Sequence, residues 1–233
     1  MRLAIMQPYL FPYIGYFQLI NAADLFVLHD DVQYIKGGWI NRNRILQNGK
    51  DVFITLSLKN DSAYKNINER FFSTEFVNEK KKILRVLQNA YHKAPHLEEV
   101  LSLLNKIFLS EENNISVFIT QSILLIKDYL QITTPVQLSS AIPKNNETKG
   151  EERVLELCKS CNASQYINPT GGISLYSKIN FYNNGIQLNF LRTNYIEYKQ
   201  FENNFIPFLS IIDVLMFNSI ENIKTYLAEF TLE

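Results

Sequence analysis

The sequence predicts an α/β fold in which helices sandwich a mostly parallel sheet, with a helical subdomain inserted in the middle of the chain. Short apolar runs alternate with amphipathic runs at both ends of the chain, which is typical of parallel β-α-β units. Between them, residues 74–132 have helical periodicity almost throughout. We therefore expect an N-terminal α/β unit (1–73), a helical insertion (74–132) and a C-terminal α/β part (133–233) that completes the same sheet.

The N-terminal unit is predicted as strand, loop, helix and strand. Residues 3–6 and 25–28 are apolar runs, and the amphipathic run 15–23 lies between them. In open parallel sheets, ligands bind at the carboxyl ends of the strands. In this chain, the Pro- and Tyr-rich loop after the first strand and the end of the second strand are expected to meet there. The candidate ligand contacts there are Gln7, Tyr9, Tyr13, Tyr16, His29, Asp30, Asp31 and Gln33.

The following segment, 34–45, combines basic, aromatic and amide side chains with two glycines. Guanidinium groups bind phosphate or carboxylate through paired hydrogen bonds, and glycines let a ligand approach the backbone closely. A hairpin with a solvated basic face is the alternative, and we favour ligand contact. The candidate residues are Lys36, Trp39, Asn41, Arg42, Asn43 and Arg44.

The rest of the chain supplies three helices and then further α/β units. Pro95 and the polar cluster 110–114 separate the helices. Residues 51–58, 135–138, 165–168 and 186–191 have the pattern of strands.

Two further helices are predicted in the C-terminal part. Thr148 with Glu151 predicts a capping box that starts one of them. Asp213 lies in the other, an apolar closing helix at 209–217, so we expect it to be buried and paired.

A Thr-Gly-Gly turn follows the 165–168 strand and is predicted to open a helix at 173–181. Bare N–H groups at such a turn suit an anion, although the Gly-Lys-Ser/Thr ending of a nucleotide-binding P-loop is missing. The candidate residues are Asn168, Thr170, Gly171 and Gly172.

Composition argues against several partners. The chain has 23 basic and 23 acidic side chains, so no charge excess favours nucleic acid or a membrane surface. It has no apolar stretch near the roughly 20 residues of a membrane helix, and its start lacks signal-peptide order, which predicts a cytoplasmic protein. Cys158 falls on an apolar helical stripe, so the pair Cys158 and Cys161 is expected to bind no metal.

Five stretches resemble the WbqC-like protein family, and the likeness covers nearly the whole chain. They are MQPYLFPYIGYFQLI, DDVQYIKGGWINRNRIL, YHKAPH, NASQYINPTGGISLY and FIPFLSIIDVLMFN. The resemblance implies a bacterial protein often encoded among genes for O-antigen or capsule polysaccharides. It also implies transfer of glycine or another acyl group onto an amino sugar.

Three functions follow as hypotheses. The first is an acyl or glycyl transferase acting on a nucleotide-linked amino sugar, with Asp30 or His29 as general base and Asp30 more important than Asp31. The donor could be a carrier protein, acyl-CoA or aminoacyl-tRNA, the tRNA being the single nucleic acid expected as a partner. The second is an ATP-dependent ligase similar to adenylate-forming HUP enzymes, with Asp30 and Asp31 on magnesium. The third is a non-catalytic sugar-nucleotide binding protein.

Overall fold

The computed structural model describes residues 1–202 and 204–233. Its strands are β1 (Arg2–Met6), β2 (Leu25–Leu28), β3 (Arg42–Gln47), β4 (Lys50–Thr55), β5 (Val136–Leu138), β6 (Gln165–Pro169), β7 (Gln187–Thr193) and β8 (Phe230–Leu232). Six of them form one sheet in the order β5-β2-β1-β6-β7-β8, and β3 and β4 form a separate hairpin. All neighbours in the six-stranded sheet are parallel except β7 and β8.

Helices flank the sheet on both faces. They are α1 (Ile14–Ala22), α2 (Phe76–Ala90), α3 (Leu97–Phe108), α4 (Ile115–Tyr129), α5 (Gly150–Ser160), α6 (Lys178–Asn183), α7 (Ile211–Phe217) and α8 (Ile220–Leu227). Short 3-10 helices cover Ile67–Glu69, Ser139–Ala141 and Thr170–Leu175. The predicted α/β class with a mostly parallel sheet is confirmed.

The alternation of side chains along the strands separates two cores. Leu3 and Ile5 of β1 pack with the buried side chains of α5 and α6. Ala4 packs on the opposite face with α1, α7 and α8. The buried side chains of α2, α3, α4 and the β3–β4 hairpin join this second core, so the middle helices share a hydrophobic core with the N-terminal unit.

The predicted capping box at the start of α5 is wrong. The residue at the N-cap position is Lys149, and Gly150 follows with a φ of 56°. The Thr148 hydroxyl instead donates to the Glu156 carboxylate at 2.8 Å. Glu151 accepts hydrogen bonds from the Ser177 N–H and the Asn180 side chain, and not from the cap.

The predictions that Asp213 and Cys158 are buried are confirmed. Asp213 is fully buried and accepts hydrogen bonds from Tyr91 (2.8 Å), Tyr198 (2.7 Å) and Gln200 (2.7 Å). Cys158 is buried, and its burial raises the pKa of the thiol to about 12, which makes it a poor nucleophile.

One amide fixes the loop between β1 and α1. The buried Asn43 side chain donates to the carbonyls of Leu10 (2.9 Å) and Phe11 (3.0 Å). The Phe11 carbonyl also accepts from the Ser210 hydroxyl at 2.8 Å. The backbone N–H of Leu10 donates to the carbonyl of Trp39 at 3.1 Å. The loop is therefore bound to the hairpin on one side and to the start of α7 on the other.

The change Asn43→Ala is expected to lower the free energy of unfolding by about 2–3 kcal/mol, because it removes the side-chain donor of the buried Leu10 carbonyl and one of the two donors of the Phe11 carbonyl. Urea denaturation of the variant and the wild type measures this difference. The matched control is Asn183→Ala, at an exposed helical position, which should change stability by less than about 0.5 kcal/mol. A loss below about 1 kcal/mol for Asn43→Ala would contradict the assigned role.

Candidate ligand-binding site

The main cavity opens where the strand order of the sheet reverses. The chain leaves β1 toward β2 on one side and later adds β6 on the other side, which makes β1 and β6 the topological switch point. A cavity of about 790 Å³ lies at the carboxyl ends of β1, β2, β6 and β7. This volume falls in the range of about 300–1,000 Å³ that is usual for small-molecule sites.

Most of the residues predicted at strand ends line this cavity. They are Gln7, Tyr9, Tyr13, His29, Trp39, Asn43, Arg44, Asn168, Thr170, Gly171 and Gly172. Several residues that were not predicted also line it, among them Tyr176, Arg192, Thr193 and Phe208. Arg192 and Thr193 directly follow the predicted 186–191 strand, so the strand-end rule already contained the signal for them.

Three predicted contacts lie elsewhere. Tyr16 is buried, and its hydroxyl donates to the carbonyl of Gln7 at 2.9 Å. Gln33 donates to the Ala63 carbonyl at 3.0 Å, and Lys36 is exposed outside the cavity lining. The Tyr16 hydroxyl therefore supports the backbone of the loop between β1 and α1, whereas the side chains of Gln33 and Lys36 lie on the outer surface.

Asn41 and Arg42 also turn back onto the protein. Asn41 accepts from the Tyr34 hydroxyl and donates to the Leu56 carbonyl, both at 2.9 Å. The Arg42 guanidinium donates to the Gly38 carbonyl at 3.2 Å. These side chains close the hairpin and its preceding turn, so the structure gives them supporting roles instead of the expected substrate contacts.

Asp30 is not part of the cavity lining. It is 1% exposed and accepts hydrogen bonds from the Ser140 backbone (3.0 Å), the Ser140 hydroxyl (2.7 Å) and the Ser139 hydroxyl (3.2 Å). Asn68 approaches it at 3.4 Å. The carboxylate fastens the end of β2 to the 139–141 turn, and this position argues against the expectation that Asp30 is the general base.

Asp31 lies at the centre of a buried cluster of charges. It pairs with Lys144 at 2.7 Å and with Arg153 at 2.9 Å, and the Ser139 hydroxyl donates to it. Burial alone would raise the pKa of Asp31, but the Lys144 and Ser139 hydrogen bonds and the Arg153 charge lower it below its ordinary value. Asp31 is therefore ionised, and its Oδ1 lies 3.9 Å from Nε2 of His29.

His29 lines the cavity as a neutral imidazole. Burial lowers its pKa from 6.5 to about 4; Asp31 opposes this shift, and the charges of Arg153 and Lys144 add to it. Among the described residues, its buried Nε2 has no hydrogen-bond partner. A neutral imidazole can accept a proton, as a general base must, and the neighbouring Asp31 carboxylate favours the protonated form, although a pKa near 4 makes this imidazole a weak base.

The Thr-Gly-Gly turn differs from the prediction. It opens the 3-10 helix Thr170–Leu175, and α6 begins only at Lys178, so no long helix places its dipole at the turn. A Cβ at Gly172 would lie 2.0 Å from Nδ2 of Asn168, whereas one at Gly171 would meet nothing within 4 Å. Gly172 thus makes room for the Asn168 amide, and Gly171 leaves the cavity wall open.

Two guanidinium groups line the cavity, and each is paired with a carboxylate. Arg44 pairs with Asp51 at 3.0 Å and donates to the Phe208 carbonyl at 3.3 Å. Arg192, at the end of β7, pairs with Glu233. Both residues line the cavity, and guanidinium groups at such positions bind phosphate.

Fold and site together define an α/β protein with a small-molecule cavity at the switch point of its parallel sheet. The chain belongs to the WbqC-like protein family, whose sequence model matches residues 7–225. It is 30% identical over 218 residues to "Uncharacterized protein Rv1507c" of Mycobacterium tuberculosis (strain ATCC 25618 / H37Rv), an alignment that covers 92% of each chain. No solved structure matches it significantly.

In 1–202 and 204–233, no helix combines the length and the apolar character needed to cross a membrane. The same residues contain no group of three or more His, Cys, Asp and Glu side chains arranged to hold a metal ion.

Gly172→Ala is expected to destabilise the protein by about 1–3 kcal/mol, because the new methyl group pushes the buried Asn168 amide away from its hydrogen bonds. Gly171→Ala is the matched control, since the same methyl group there enters open space. Thermal and urea denaturation of the two variants measure the difference. Equal stability of the two variants would contradict the assigned packing.

The histidine predicts a pH dependence of stability. The unfolded chain protonates His29 near its ordinary pKa of 6.5, but the folded chain protonates it only near 4. The unfolded state therefore binds more protons in this window, and stability falls as the pH drops from 6.5 to 4, by up to about 3 kcal/mol. In His29→Gln this part of the loss should vanish, and urea denaturation at several pH values tests it. Parallel stability curves for variant and wild type would show that His29 has no lowered pKa.

Proposed function

We propose that this protein transfers an acyl group, glycyl in the form implied by the family resemblance, to the amino group of a nucleotide-linked amino sugar used for O-antigen or another surface polysaccharide. The observation that carries the proposal is the neutral His29, which lines one cavity together with Arg44, Arg192 and the Thr170–Gly172 turn. A base and groups that suit a diphosphate are what such an acceptor requires.

His29 acts as the general base in the proposed reaction. The lone pair of the sugar amine attacks the carbonyl carbon of the acyl donor, so a C–N bond forms while the bond from that carbon to the donor's leaving group breaks. The imidazole takes the proton that the amine loses and returns it to the leaving group. Asp31, 3.9 Å from Nε2, stabilises the imidazolium in between.

The rest of the cavity holds the acceptor. Arg44, Arg192 and the turn N–H groups bind the diphosphate. Gln7 and the tyrosines Tyr9 and Tyr13 offer an amide and hydroxyl groups to the sugar ring. Asn43 lines the cavity but already donates to two backbone carbonyls, so its role is to hold the loop.

The transferase is favoured over an ATP-dependent ligase by the positions of the two aspartates. The ligase hypothesis needs Asp30 and Asp31 on magnesium, yet Asp30 is buried under the 139–141 turn and Asp31 is paired with Lys144 and Arg153. We place the reaction in the cytoplasm, where nucleotide-linked sugars are made. The donor is a carrier-protein thioester, an acyl-CoA or an aminoacyl-tRNA.

The test is a panel of nucleotide-linked amino sugars, each incubated with the protein and with each glycyl or acyl donor, and analysed by mass spectrometry for an acylated product. With a productive pair, His29→Gln should lower kcat by about 100-fold or more, because it removes the proton acceptor. Binding of the sugar nucleotide, measured by calorimetry, should stay unchanged. His92→Gln is the matched control, since His92 is exposed and lies outside the cavity lining.

The outcomes separate the three hypotheses. Tight binding of a sugar nucleotide with no acylated product from any donor would favour the non-catalytic binding protein. Product that forms only with ATP and a free amino acid would favour the ligase. Full turnover of His29→Gln would remove this residue from the mechanism.

A further inference from the structure

A ladder of aromatic rings and guanidinium groups borders the cavity on its hairpin side. The rings of Trp39 and Phe53 are stacked, with centroids 6.1 Å apart and planes 28° from parallel. The Arg42 guanidinium lies 4.6 Å from the centre of the Phe53 ring, and that of Arg44 lies 5.7 Å from the Trp39 ring. The two rings therefore lie against each other, and each has a guanidinium group over it.

The aromatic rings of the ladder are exposed to solvent, and one of them is the single tryptophan of the chain. Trp39 is 40% exposed and Phe53 is 47% exposed, and Trp39 lines the cavity. A large aromatic side chain left open at the edge of a ligand cavity is free to stack on a flat ligand group.

The ladder is also fixed before any ligand binds. The Trp39 carbonyl accepts from the N–H of Leu10, and Arg42 closes the preceding turn by donating to the Gly38 carbonyl. Arg44 is held by its ion pair with Asp51. Because the backbone at Trp39 and the two guanidinium groups are already held, a ligand that binds there loses little binding energy to ordering them.

We propose that the exposed indole of Trp39 is the subsite for the nucleobase of the acceptor, with Arg44 beside it facing the phosphates. This inference rests on the proposed function and names the end of the substrate that the hairpin holds. The sugar amine has to reach His29, so the base must occupy another part of the same cavity. Base stacking on an aromatic side chain tolerates every base and strengthens binding by about 5- to 150-fold.

The single tryptophan makes a direct measurement possible, because fluorescence excited at the long-wavelength edge of indole absorption, where the 13 tyrosines do not absorb, reports on Trp39 alone. The wild-type protein is titrated with uridine, guanosine, cytidine and thymidine diphosphates, and separately with inorganic pyrophosphate and free glucosamine. At least one nucleoside diphosphate should quench the emission saturably. Pyrophosphate should compete with it without quenching, and glucosamine should leave the emission unchanged.

A set of variants separates stacking from a structural effect. Trp39→Ala should weaken binding of the quenching nucleotide by about 5- to 150-fold in calorimetry, and Trp39→Phe should recover part of the loss because it keeps a flat ring. The matched control is Tyr182→Ala, which removes an aromatic side chain that is 80% exposed and outside the cavity lining. Its affinity should equal that of the wild type.

Failure of this inference is distinguishable from failure of the proposed function. Nucleotide binding by calorimetry without any change in Trp39 emission, together with wild-type affinity of Trp39→Ala, would overturn the stacking subsite and leave the transferase proposal standing. Quenching by glucosamine in place of the nucleotides would assign the ladder to the sugar and also overturn it. If none of the diphosphates binds, the subsite is refuted, and the acyl-transfer assay alone then decides the transferase proposal.

Discussion

The carbonyl oxygen of Phe11 is the point on which the geometry of the cavity depends. It accepts hydrogen bonds from Asn43 and Ser210, which lie 32 and 199 positions away along the chain. The φ of Phe11 is 44°, a strained value for a residue with a side chain, and these two bonds help to hold it there. They join three segments, and those segments bring Tyr13, Arg44 and Phe208 to the cavity.

The alternation of side chains after β2 decides which acidic group serves the site. Neighbouring residues of an extended segment point to opposite sides, so His29 and Asp31 approach each other while Asp30 turns toward Ser140. From the sequence, Asp30 is predicted to be more important than Asp31. The choice depended on what each face meets, and only the folded chain shows that Asp30 meets the 139–141 turn.

The electrostatic character of His29 comes from parts of the chain far from it in sequence. Lys144 and Arg153 lie more than 100 positions away, and both pair with Asp31 beside the imidazole. Their positive charges add to the effect of burial and keep the imidazole neutral at physiological pH. The same charges help to make this end of the sheet attractive to an anionic ligand.

The sequence by itself determined the α/β class, the positions of most helices and strands, and the strand ends at which Gln7, His29 and Thr170 lie. Hydrophobic periodicity is a local property of the sequence, and the rule that ligands bind at the carboxyl ends of parallel strands is general. Both therefore apply before the tertiary structure is known. Tertiary structure alone decided that Asn41 and Arg42 bind their own hairpin, that Asp30 is buried and that Phe208 completes the wall. The reason is physical: the partner of a polar side chain is chosen by distance in space, and residues far apart in sequence supply that partner only after the chain has folded.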